Sequence, residues 1–229
     1  MNKRSLKIII LILLLILPLL MIILMRQFFQ VNYLLSSSYK IIFLSPLFYR
    51  SVIDKKTFKS SLFENFSFER FKKNIFIVIG LGIGLAAIYL MNYLVIRQFL
   101  RGETIVSQLN QLASIHKRNI LFIGLYIILF NSILEEFFWR GFLFKELREL
   151  INPWMAHTLT GIGFSFHHII FFIGWFELPF LMLATSGLIA FAIVMNFILE
   201  RYDLFSCWLI HGLVDTVQVF IAFRIFGMI

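Results

Sequence analysis

Glu135, Glu136 and Arg140 lie inside an otherwise apolar run, Asn131-Ser132-Ile133-Leu134-Glu135-Glu136-Phe137-Phe138-Trp139-Arg140-Gly141. A charged side chain at mid-membrane costs about 2.5–3.5 kcal/mol on the insertion scale, so a residue kept there marks function or a specific pairing. Glu136 and Arg140 are four apart and share a helical face, which predicts an ion pair bracing the helix. Glu135 is turned about 100° from Glu136 and has no cation at helical spacing. Lys145, Glu146, Arg148 and Glu149 follow closely, so a solvated helix end is the plainer alternative for the cluster.

Two further segments carry groups of the same kind. Gly161-Ile162-Gly163-Phe164-Ser165-Phe166-His167-His168-Ile169 sets two histidines in an apolar run, beside glycines that permit close helix approach. Adjacent residues are not expected to aim at one point, so one of the two should act. In Cys207-Trp208-Leu209-Ile210-His211-Gly212-Leu213-Val214-Asp215, His211 and Asp215 share a helical face, with Gly212 leaving room beside them. The aspartate could orient the imidazole, fix its tautomer or bind a ligand. A Glu, a His, and a His with an Asp on three nearby helices are what a buried hydrolytic site requires. A carboxylate near a histidine can take a proton from water and later hand it to a leaving amine. A second, hydrogen-bonded histidine can stabilise the oxyanion of an attacked carbonyl. Two histidines and a carboxylate are also a common zinc set.

The elements that must position these groups are membrane helices. Of the 229 residues, 60% are hydrophobic and 14% charged, and mean hydropathy is +0.90. A soluble domain is about 45–50% apolar and about 25% charged, and one core of this size could not hide the excess. Lys3, Arg4 and Lys7 precede the run Ile8 to Met25, expected to be an uncleaved first transmembrane helix with Pro18 as a kink, because no small-residue cleavage site follows it. Val31 to Tyr49 is a weaker span, broken by Ser36 to Ser38 and Lys40. Arg50 to Lys73 is a polar loop with seven basic residues. Clear spans follow at Asn74–Val95, Asn119–Phe144, Trp154–Phe172, Leu178–Leu199 and from Leu204 to the C-terminus. Each suffices for a core of about 30 Å at about 1.5 Å per residue.

With the N-terminus cytoplasmic, fourteen basic residues fall inside and six outside, with Lys40 in the membrane. The expectation is therefore an all-α polytopic bundle of about seven transmembrane helices, six to eight, in a cell membrane. The net charge of +9 reads as topology and headgroup contact, with no nucleic-acid partner expected. Cys207 stands alone, so no intrachain disulfide or cysteine metal cluster can form. The 29 phenylalanines are read as lipid-facing and packing surface. No repeat or linker divides the chain. Residues 1–118 form the first helices and the basic loop, and 119–229 the motif-bearing core, of one continuous membrane domain.

The three segments resemble the CPBP family, which comprises CAAX prenyl protease 2 and the Abi-type intramembrane proteases. Its motifs read here as Glu135-Glu136-x-x-x-Arg140, Phe164-x-x-x-His168 and His211-x-x-x-Asp215, in the family's order, and Gly141 after the arginine fits as well. The Phe-x-x-x-His spacing selects His168 over His167. The resemblance spans about Asn119 to Asp215 and implies an all-helical membrane endopeptidase cutting peptides or membrane-associated proteins at the cytoplasmic face. By that analogy Glu135 and His168 activate water, His211 and Asp215 support the oxyanion or bind metal, and Glu136 and Arg140 brace the first helix. Zinc, if used, would be held by Glu135, His168 and His211, although the zinc-protease signature His-Glu-x-x-His is missing. The prenyl proteases generally carry Asn where this chain has Asp215. An ionised Asp only accepts hydrogen bonds, which sets CAAX-type substrates in question and fits the bacterial branch.

Three other functions fit parts of the pattern. A non-catalytic bacteriocin-immunity or regulatory membrane protein could retain the family site. A proton relay or transporter would use the same buried groups, but lacks the paired broken segments of inverted repeats. A serine protease built on Ser165 and His211 has no recognisable nucleophile setting. Oligomeric state is not encoded in any of these features.

Overall fold

The computed structural model describes residues 2–28, 38–174 and 176–229. It is an all-α membrane helical bundle, with no strand among the described residues. In chain order the helices are α1 (Lys3–Phe28), α2 (Ser45–Val52), α3 (Phe58–Phe63), α4 (Phe68–Ile96), α5 (Gly102–Ala113), α6 (Ile120–Leu150), α7 (Pro153–Phe172), α8 (Leu178–Arg201) and α9 (Leu204–Ile225). A 3₁₀ segment, Ser38–Leu44, leads into α2.

Five of the expected spans are helices long and apolar enough to cross a membrane, on α1, α4, α6, α8 and α9. The expected span at Trp154–Phe172 is α7, of 20 residues. Residues 31–37 of the expected Val31–Tyr49 span lie outside the described residues. The rest of it turns from the 3₁₀ segment into α2 with Pro46 in the first turn, where a missing N–H costs nothing. Tyr39, Lys40, Phe43, Leu47 and Tyr49 of this stretch are buried among the other helices. Apolar side chains cover the outside instead, such as Phe76 at 87% exposure and Phe122 at 72%, which only lipid would tolerate on this scale.

Because hydrocarbon offers no hydrogen bonds, helix ends are closed by side chains or by polar neighbours. Asp203 caps α9 through Ser206 N at 2.9 Å, Ser67 caps α4 through Arg70 N, and Asn152 caps α7. The charged residues gather at two ends. At one, Arg4 donates to Leu150 O at 2.7 Å, Lys7 pairs with Asp54 at 2.6 Å, and Arg148 pairs with Glu200. Buried Arg50 there donates to Ser61 O and Gly141 O and faces Glu64 and Glu146. At the other, Arg101 pairs with Glu177 at 3.0 Å and Lys117 reaches Gly227 O. This division matches the one predicted from the loop charges.

One apolar core unites both halves of the chain, from Leu11 and Phe43 to Phe138, Phe164, Met195 and Cys207. Two close approaches set its geometry. A Cβ on Gly163 would lie 3.0 Å from Leu15 Cγ and from Trp139 Cζ3, and one on Gly212 would lie 3.1 Å from Ile128 O. The glycines beside the histidines thus let α7 and α9 seat against α1 and α6. Helix α6 is α-helical at Ser132–Phe138, between π-helical turns at Ile127–Asn131 and Trp139–Phe144. Each π-turn inserts an extra residue and re-aims the side chains after it, a device common at functional sites.

Candidate active site

The α-helical stretch between the two π-turns carries Glu135 and Glu136, 1% and 0% exposed. Glu135 is met from three elements. From α7, His168 Nε2 lies 3.2 Å from Oε2 and His167 Nε2 lies 3.9 Å from Oε1. From the 3₁₀ segment, Lys40 Nζ lies 3.3 Å from Oε1. From one turn earlier on α6, Asn131 Nδ2 donates to Oε1 at 2.8 Å, and Asn131 Oδ1 accepts from Lys40. Glu135 therefore has the cation that its own helix does not supply.

His168 is oriented by its own backbone. Nδ1 lies 2.9 Å from Phe164 O, four residues back on α7. A carbonyl only accepts, so Nδ1 carries a proton, and Nε2 faces Oε2 across a contact that can hold one more. That is a pair able to take a proton from water and return it. His168 is also the accessible member, its side chain 22% exposed where those of Glu135 and His167 are 1%.

Glu136 builds a second, closed group. Oε1 accepts from Arg140 Nη1 at 2.9 Å, the ion pair expected from the spacing, and also from His211 Nδ1 at 2.7 Å. Asp215 Oδ1 lies 3.7 Å from His211 Nε2, beyond hydrogen-bond length. Glu136 fixes the ring, rather than the aspartate at helical spacing. Nε2 of His211 is left on the Asp215 side, where a protonated ring could face developing negative charge.

Phe164, 1% exposed, joins the two groups. Its ring lies 4.2 Å from that of His168 and 6.1 Å from that of His211, and the Arg140 guanidinium stacks on it at 4.2 Å. The structure thus brings Glu135 to His168, and His211 to Glu136, with both histidine rings against one phenylalanine. Ser165 is not part of this arrangement: its hydroxyl donates to Thr185 O at 2.9 Å.

Among the described residues, Glu135, His167 and His168 form the group that could hold a metal ion, with ligand atoms within 4.8 Å of one another. The expected third ligand, His211, stands outside this group and against Glu136. By donor type the three suit zinc. By charge they do not, because the Lys40 ammonium already stands 3.3 Å from Glu135 Oε1.

Lys40, Asn131 and His167 are the residues that motif spacing missed. The two histidines do converge, contrary to expectation, because their target has two oxygens and α7 passes close enough for each ring to face one. The signals present in the sequence were an unpaired lysine in an apolar stretch and an asparagine four residues before Glu135.

Residues 117–217 match a family model described as type II CAAX prenyl endopeptidase, Rce1-like. The match takes in α6 to α9 as far as Val217, Asp215 included, and leaves out Lys40. No curated protein and no solved structure matches the chain.

Proposed function

Residues 117–217 being Rce1-like, consistent with a CPBP intramembrane protease, we propose that the chain is an intramembrane endopeptidase that hydrolyses peptide bonds of peptide or membrane-associated protein substrates. The observation that carries this is the contact of Glu135 Oε2 with His168 Nε2 at 3.2 Å, in a group accessible only at His168. In this mechanism the pair removes a proton from a water as it attacks the scissile carbonyl. The tetrahedral oxyanion is stabilised by His211, held by Glu136 and flanked by Asp215. Collapse of the intermediate expels the amine, which takes the proton back from the pair. Glu136 and Arg140 keep His211 in place.

In this reading the protein sits in a cell membrane with its N-terminus inside, and the positive-inside rule supports taking the basic end as the cytoplasmic one. Lys145 and Arg148 of that end follow Glu135 on α6 by ten and thirteen residues, whereas Lys117 of the other end precedes it by eighteen. That asymmetry supports substrate entry from the cytoplasmic face.

The test is hydrolysis in ¹⁸O-water by the purified protein in lipid nanodiscs, presented with a library of membrane-anchored peptides. New C-termini carrying one ¹⁸O are expected. Intact peptides throughout the library would favour a binding role for the retained site.

A further inference from the structure

We propose that Lys40 is the built-in counter-cation of the Glu135 site, a positioning residue that fills the charge-balancing place a divalent ion would otherwise take. Lys40 comes from the 3₁₀ segment Ser38–Leu44, outside the region that the family model matches. It is 8% exposed, deep for a residue type rarely buried without a partner. Its ammonium bonds Asn131 Oδ1 and stands 3.3 Å from Glu135 Oε1, while Asn131 Nδ2 donates to the same Oε1 at 2.8 Å. Lys40, Asn131 and Glu135 thus close a ring of contacts on one side of the carboxylate. Oε1 is occupied by two donors and Oε2 is turned to His168, the accessible group. The rotation of the carboxylate is set by a residue of the N-terminal helices, and those helices become part of the site.

The same ammonium bears on metal binding. A divalent ion held by Glu135, His167 and His168 would share Glu135 with a buried positive charge. At separations near 4 Å such like charges repel strongly even at an effective dielectric of about 20. Lys40 therefore commits a donor set of zinc-binding type to metal-free use.

The experiment uses the full chain in lipid nanodiscs, titrated with Co²⁺, whose tetrahedral complexes absorb in the visible. Wild type is expected to show no visible band with Co²⁺ in excess. Lys40→Met should gain one, with an apparent affinity at least about 100-fold higher, and Lys40→Met combined with His168→Ala should lose it again. A kinetic arm rests on the endopeptidase reading. Lys40→Met should lower kcat about 100-fold with KM changed by no more than about threefold, Lys40→Arg should keep more activity, and added methylammonium should partly restore Lys40→Ala. Stoichiometric Co²⁺ binding by wild type overturns the proposal, as does a folded Lys40→Met that binds no Co²⁺ or keeps wild-type kcat. Should Lys40→Met not fold, wild type and Lys40→Arg decide it, because Co²⁺ binding by either contradicts the assignment. A wild type that cleaves nothing counts against the endopeptidase reading alone, and the cobalt arm still judges Lys40.

Discussion

Glu135 and Glu136 are neighbours in sequence, almost equally buried, and surrounded very differently. Glu136 takes one partner from its own helix, Arg140 one turn on at 2.9 Å, and one from α9, His211 at 2.7 Å, and the group is closed. Glu135 draws its partners from its own helix, through Asn131, and from the 3₁₀ segment and α7, and one of them, His168, is accessible. A carboxylate whose partners are all shut away suits a brace. One held by distant groups and open on one side suits chemistry. About 100° of helical rotation separates the two roles.

If that contrast holds, substitutions on the two sides should fail in different ways. His168→Ala should cut peptide hydrolysis by about 10²–10⁴-fold while leaving thermal unfolding close to wild type, since the side chain is partly exposed. Equal losses of activity and stability would erase the distinction. On the closed side, Arg140→Met breaks a buried ion pair, leaving Glu136 with His211 alone, and should cost about 3 kcal/mol of stability, read as a lowered unfolding temperature in nanodiscs. A smaller loss is expected from Gly163→Ala. Its Cβ would press on Leu15 and Trp139 at 3.0 Å, for about 1–3 kcal/mol, with hydrolysis reduced through displacement of α7. Asp215→Asn should matter least, changing kcat by less than about tenfold, because Glu136 rather than Asp215 holds His211. A larger fall would show that Asp215 touches the reacting groups.

What could be read from the sequence followed the reach of helical periodicity. The spans of α1, α4, α6, α8 and α9 were legible because apolar runs of that length have few alternatives. The Glu136–Arg140 pair was legible because both residues ride one helix four apart. The same rule overrated Asp215, since helical spacing puts His211 and Asp215 on one face but says nothing of a shorter bond arriving from α6. Lys40 stood out as a charge interrupting a weaker span, but its partner did not, because Glu135 is 95 residues away. The π-turns that flank Ser132–Phe138 leave no pattern in an apolar helix, yet the first of them, Ile127–Asn131, re-aims both glutamates. Convergence of His167 and His168 on one carboxylate depends on how closely α7 approaches, which Gly163 permits but no single segment reveals.

The central claim is that Glu135, and not its neighbour, handles the proton of the attacking water. It is tested most directly by assaying ¹⁸O-labelled cleavage with Glu135→Gln, a change that keeps the shape and Asn131's hydrogen-bond acceptor but removes the base. The account predicts a fall of about 10³-fold or more in a protein that still folds into the same helical bundle. Cleavage at the wild-type rate by that folded variant would contradict it.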